Sequence, residues 1–319
     1  MDSIQLALSN IASPPVLAFI LGLSLVMVRS QLQIPSQIFD FLSIYLLLAI
    51  GIKGGVSLST TPAEEVWLPI LVAIGVGCLI PFAVFYGLKT LTALDRTNRG
   101  ALAAHYGSTS LVTFTAGLVF LENAGLAVEG YMPSLLAVME VPGIIVGILL
   151  AKKSSKDGAL STALNEVFTS KSVILLIGGI LIGLATGPAG YEKVAPFFGE
   201  IFAGMLTIFL LQLGIQAGKS VKEAKKAGFG LLVFALGFPL AAGAIGVSIA
   251  QSIGISQGGS VVFGLLCGSA SYIAAPAAVK LSLPDAKPGL YITTSLGITF
   301  PMNLFVGIPF LTWFSGVIA

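Results

Sequence analysis

Charge is what this chain has least of. Of its 319 residues only 9% are Asp, Glu, Lys or Arg, against about 25% in an ordinary soluble domain, so water is not its main solvent. A formal charge of +2 gives no basic face for nucleic acid. Only two cysteines occur, Cys78 and Cys267, both inside apolar stretches, which argues against a disulfide framework or a zinc site. His105 is the sole histidine. With no H-E-x-x-H pattern and no visible Ser–His–Asp set, an enzyme is not expected. The N-terminus lacks the basic flank and small-residue cleavage site of a signal peptide.

Apolar residues make up 56% of the chain, and they fall into ten long runs bounded by charge, Pro or Gly. These lie near 12–28, 36–52, 66–88, 101–121, 131–151, 172–187, 196–216, 228–250, 259–280 and 288–316. A membrane helix takes about 20 residues, so the expected fold is all-α with ten transmembrane helices. An even number of spans puts both termini on one side, where only Lys53 and Lys193 fall in loops. The opposite loops hold Arg29, Lys89, Arg96, Arg99, Lys152, Lys153, Lys156, Lys171, Lys219, Lys222, Lys225, Lys226, Lys280 and Lys287. Basic loops stay inside, so both termini are expected outside, in an inner (plasma) membrane.

The chain repeats itself at a spacing of about 160 residues. Leu48–Leu58 reads LAIGIKGGVSL and Leu211–Val221 reads LQLGIQAGKSV. Gly107-Ser108-Thr109-Ser110 returns as Gly268-Ser269-Ala270-Ser271, and Pro142 in the fifth run returns as Pro301 in the tenth. Five spans per copy is odd, so the second copy enters the membrane upside down, with units at 1–151 and 172–319 joined by a cytoplasmic linker at 152–171. Inverted repeats are a mark of secondary transporters. Some channels share the feature, and an anion channel is the rival expectation.

Runs 4 and 9 each carry small polar residues at mid-membrane. Ser, Thr and Gly make a poor continuous helix, and unwound backbone in a bilayer is tolerated only in a cavity or against protein. Two half-helix N-termini meeting there would hold an anion without any Arg or Lys, since each carries about half a positive charge. No run interior contains a clear basic residue. Glu140 is the one acid deep inside a run, directly before Val141-Pro142. A carboxylate there is costly and marks function by default. Pro142 also deprives the carbonyl of residue 138 of its helical partner, so Glu140 and backbone oxygens together suit a cation. Its repeat mate is Thr299, with Asn303 one turn on.

On these residues the chain resembles the sodium-dependent bicarbonate transport family over nearly its whole length. The carriers of the likeness are Ala104-His105-Tyr106-Gly107-Ser108-Thr109, Met139-Glu140-Val141-Pro142, Gly268 through Pro276, and Tyr291-Ile292 through Pro301. The resemblance implies a core domain of runs 3–5 and 8–10, with crossed and broken runs 4 and 9, moving as an elevator against a gate domain of runs 1, 2, 6 and 7. It implies substrate at Gly107, Ser108, Thr109, Ser269, Ala270 and Ser271. Sodium, the coupling ion, is expected at Ser110, Glu140, Gly268, Tyr272, Thr299 and Asn303. A homotrimer and a PII-like cytoplasmic regulator are implied as partners. Where the family has Ser-Ser-Ser-Asp, this chain has Ser269-Ala270-Ser271-Tyr272, one hydroxyl and one carboxylate fewer. Another small organic anion is therefore the alternative cargo.

Overall fold

The structure, a computed structural model, describes residues 12–152, 159–224 and 228–319, without the side chains of 159–163 and 221–224. Lys153, Lys156, Lys225 and Lys226 of the basic loops, the side chain of Lys222, and the first eleven residues lie outside that description. The described residues are helical and include no strand. The helices are α1 (Pro14–Met27), α2 (Ser36–Thr60), α3 (Ala63–Leu91), α4 (Arg96–Gly107), α5 (Leu111–Asn123), α6 (Met132–Ala151) and α7 (Ala159–Phe168). There follow α8 (Lys171–Glu192), α9 (Phe202–Ala224), α10 (Phe229–Ser252), α11 (Gln257–Cys267), α12 (Ala275–Ser282) and α13 (Pro288–Ile318). Seven of them contain a stretch long and apolar enough to cross a membrane, namely α2, α3, α6, α8, α9, α10 and α13. The shorter α1 and α11 are apolar too. This is an all-α membrane protein.

Two packing groups position the site. In the first, α2 lies along α8, and α1 along α9. Glycine permits both contacts: a Cβ on Gly55 would sit 2.0 Å from the Ile180 carbonyl oxygen, and one on Gly214 2.1 Å from that of Phe19. Such small-residue seams replace the hydrophobic drive that is absent in lipid. In the second group α3, α4 and α6 pack on one another, and α10 packs on α11 and α13. The Asp95 side chain caps α4 by accepting from Asn98 N–H at 2.7 Å. Ser256 caps α11 by accepting from Gly259 N–H at 3.1 Å.

The helix ends differ from the sequence reading in several places. The second run does not stop at 52; α2 continues to Thr60, so Lys53 is a helix residue two turns from the end rather than a loop residue. The expectation that no span interior holds a basic residue falls with it. Gly51, Gly54 and Gly55 serve close packing inside the helix. The linker at 152–171 contains α7. Position 187, the expected end of run 6, is a kink: Gly187 has φ 58°, ahead of Pro188, and the helix resumes to Glu192. In α13 the α-helix widens to π geometry at Thr293–Thr299 and again at Asn303–Gly307.

Candidate functional site

Run 4 is interrupted. After Gly107 the backbone becomes extended, with Ser108 at φ −93°, ψ 134° and Ser110 at φ −97°, ψ 110°, before α5 begins. Run 9 is interrupted more widely, between Cys267 and Ala275. Ser110 caps the first new half-helix, and Ser271 accepts backbone N–H groups where the second begins. Ser110 Oγ accepts from Thr113 N–H at 3.2 Å, and Ser271 Oγ accepts from Ala274 and Ala275 N–H at 3.2 and 3.4 Å.

The breaks touch and bond to each other. Ser271 N–H donates to the carbonyls of His105 at 2.7 Å and Ser108 at 3.0 Å. Ser110 N–H donates to Ser269 Oγ at 2.9 Å, and that hydroxyl donates on to the Leu266 carbonyl. Each interruption therefore satisfies backbone groups that the other exposes, which is how non-helical chain persists at membrane depth.

Against this crossing lies a cavity of about 10 Å³, the least that holds one water. Its polar lining is Thr109, Ser110, Glu140, Ser172, Ser271 and Tyr272. Leu47 on α2 and Leu176 on α8 close it from the other packing group, so the cavity sits on the seam between the two groups. Glu140 is 6% exposed and, among the described residues, makes neither an ion pair nor a hydrogen bond. A buried carboxylate without a partner carries a large desolvation cost, which a bound cation removes. The surrounding hydroxyls are the oxygen donors such a hard cation takes.

Five of the twelve residues picked from the sequence thus share one cavity: Thr109, Ser110, Glu140, Ser271 and Tyr272. The other seven are buried around it without lining it. Gly107 packs on Gly143, where an added Cβ on Gly143 would lie 1.8 Å from the Gly107 oxygen. Ser108 is fully buried with its hydroxyl unpartnered. Gly268 gives its carbonyl to Asn303 Nδ2 at 2.9 Å. Ser269 supports Ser110, and Ala270 is buried in the apolar core. Thr299 Oγ1 bonds to the Tyr106 hydroxyl and donates to the Ala235 carbonyl at 3.0 Å. His105 Nδ1 donates to the Ala101 carbonyl at 2.7 Å, and its ring stacks on Tyr291 with centroids 4.2 Å apart. Sequence reasoning missed Ser172, Leu47 and Leu176. Ser172 looks like a helix-start residue, and nothing distinguishes the two leucines from other apolar positions.

Interrupted helices that meet beside a buried acid, inside an all-α membrane protein, suit a transporter. The family model described as the Na+-dependent bicarbonate transporter superfamily matches residues 14–315, and the chain belongs to that family. No curated protein gives a significant match.

Proposed function

We propose that this protein couples inward Na+ movement to uptake of bicarbonate by alternating access, with the cavity at the crossed breaks as its carrier site. The carrying observation is Glu140: its carboxylate meets a space for one water or ion beside the two breaks, with no basic side chain among the described residues to neutralise it. Na+ held by Glu140 and the hydroxyls of Ser110, Thr109 and Ser271 satisfies that charge. The anion then docks against the N-terminal ends of α5 and α12, whose dipoles favour it once the acid is neutralised. Entering a cell against 100 mV costs a monovalent anion about 2.3 kcal/mol, which one Na+ cancels. Bicarbonate is larger than the present cavity, so loading requires the two packing groups to part along their seam.

In this reading the group containing α3–α6 and α10–α13 is the moving core, and α1, α2, α8 and α9 form the gate. Ten spans in two inverted units are supported by paired contacts. Exchanging the halves turns the α1–α9 pair into α8–α2, the two pairs that pack most intimately. It also turns one cross-tie into another. Glu129, before α6, accepts from Ser256 N–H at the start of α11 at 2.7 Å. Lys287, before α13, donates its N–H to Asn98 Oδ1 at the start of α4 at 2.9 Å. The basic loops favour both termini on the outer side of an inner membrane; a homotrimer and a PII-like regulator belong to the same proposal.

The test is uptake of ¹⁴C-bicarbonate into proteoliposomes with an inward Na+ gradient or with choline. Saturable accumulation that needs Na+ is expected. Equal uptake in both sinks the coupling, and unitary currents without accumulation would establish the channel alternative.

A further inference from the structure

A second cavity of about 300 Å³ opens between the same two packing groups. It is apolar except for one cation, Lys53 on α2, and one anion, Glu122 on α5. The two face each other from gate and core within electrostatic reach, yet farther apart than a direct ion pair. Lys53 Nζ rests over the Phe202 ring, 5.1 Å from its centroid. An ionisable residue inside a membrane helix is costly and by default functional.

The cleft and the carrier cavity are stacked on the same helix faces. On α2, Leu47 lines the small cavity and Ile50 the large one; on α6, Leu136 and Pro133 do the same. Three-residue spacing keeps both on one face. Lys53 therefore stands about 9 Å beyond Leu47 along α2, at 1.5 Å per residue. Under the orientation proposed above, the helical walls of the cleft come from the outer parts of their helices, and Leu126 and Val128 come from the loop between α5 and α6. In the repeat, Gly51-Ile52-Lys53 corresponds to Gly214-Ile215-Gln216, so the equivalent position on the inner side is neutral.

We infer that the cleft is an anion-capture vestibule, in which Lys53 receives a small monovalent oxyanion from outside before the anion reaches the breaks. Glu122 is the resident competitor that holds Lys53 when no anion is present. Placing a cation at the outer mouth and an amide at the inner one favours capture outside and release inside. This rests on the transport reading for its cargo, but the charge of the vestibule is measurable without it.

Two readouts separate the claims. In bicarbonate uptake, Lys53→Met raises KM about tenfold with Vmax within about twofold, Lys53→Arg stays near the parent, and Glu122→Gln lowers KM. Independently, Val119→Cys places a thiol in the cleft, and its modification by anionic and cationic methanethiosulfonates is compared. The unsubstituted chain gives the background from Cys78 and Cys267. The anionic-to-cationic rate ratio falls in Val119→Cys/Lys53→Met and rises in Val119→Cys/Glu122→Gln. If the parent takes up no bicarbonate while the ratio follows Lys53, the transport reading fails and anion capture stands. An unchanged ratio overturns the vestibule, as does a changed ratio with unchanged KM in an active carrier. If Lys53→Met does not fold, the opposite-signed shifts of Glu122→Gln decide in the same way.

Discussion

Under the proposed repeat, helices α6 and α13 are counterparts, yet their buried polar groups are used differently. In α6, Glu140 sits in a continuous α-helix and turns an unpaired carboxylate onto the carrier cavity. In α13, the matching stretch is partly π-helical, and its polar groups are tied inward: Thr299 to Tyr106 and Ala235, Asn303 to Gly268. Widened turns redirect side chains, which suits a helix that must reach its neighbours. On the proposed function, one helix therefore supplies an open cation position and the other a strut that holds the second break. The same frame yields both because a buried polar group can be left for a ligand or satisfied by protein, and only the first choice costs stability in the empty state.

The contrast breaks most easily at Glu140. Glu140→Gln keeps the shape and removes the charge; losing one partner of a buried ion pair costs about 3–5 kcal/mol. The Na+ concentration for half-maximal uptake should rise at least about 100-fold, while thermal stability in Na+-free detergent stays equal or improves. An unchanged Na+ requirement would assign Glu140 to structure and erase the difference between the halves.

Asn303→Ala should show the reverse pattern. It leaves the buried Gly268 carbonyl unpaired, a loss of about 1–3 kcal/mol, so the melting temperature falls while the Na+ requirement of the surviving protein holds. Thermal unfolding in detergent and a Na+ titration on one preparation would separate the two quantities. A large shift in Na+ dependence would place Asn303 in the ion site after all.

Ser271 belongs to both functions, since it lines the cavity and its hydroxyl accepts from Ala274 and Ala275 N–H where α12 begins. Ser271→Ala should cost about 1 kcal/mol for the backbone N–H groups left without that acceptor. It should also weaken the anion more than Na+, because the dipole end it organises is the anion's side. Parallel KM values for bicarbonate and for Na+ test this; a purely Na+-sided defect would reverse the assignment.

The breaks were legible because their chemistry is local: a run of adjacent glycine and hydroxyl residues inside an apolar stretch, occurring twice at matching positions, disfavours continuous helix in both places. Glu140 was legible for the same reason. What decided the remaining positions was packing between distant segments, which leaves no local trace. The charge of Lys53 marked the end of run 2 at 52, but Gly51 and Gly55 meet α8 and Gly54 meets Pro133, and the helix carries Lys53 within it. Thr299 and Asn303 look like ligands by symmetry with Glu140, and only the π turns of α13 show them turned to other partners. The wall residues Leu47 and Leu176 are ordinary leucines given meaning by a seam between two groups.

The smallest expected effect tests the strut from its other end. Thr299→Val keeps the volume of the side chain and removes both hydrogen bonds, leaving the Tyr106 hydroxyl and the Ala235 carbonyl to find other partners. Because Tyr106 is fully buried against Phe234 and Phe238, no water is at hand to replace the hydroxyl. Destabilisation of about 1 kcal/mol follows, read as a modest fall in melting temperature with uptake kinetics and Na+ requirement unchanged. If the variant instead loses Na+ coupling with its melting temperature intact, Thr299 acts on the ion. The two fifth helices would then form one divided site rather than a site and its support.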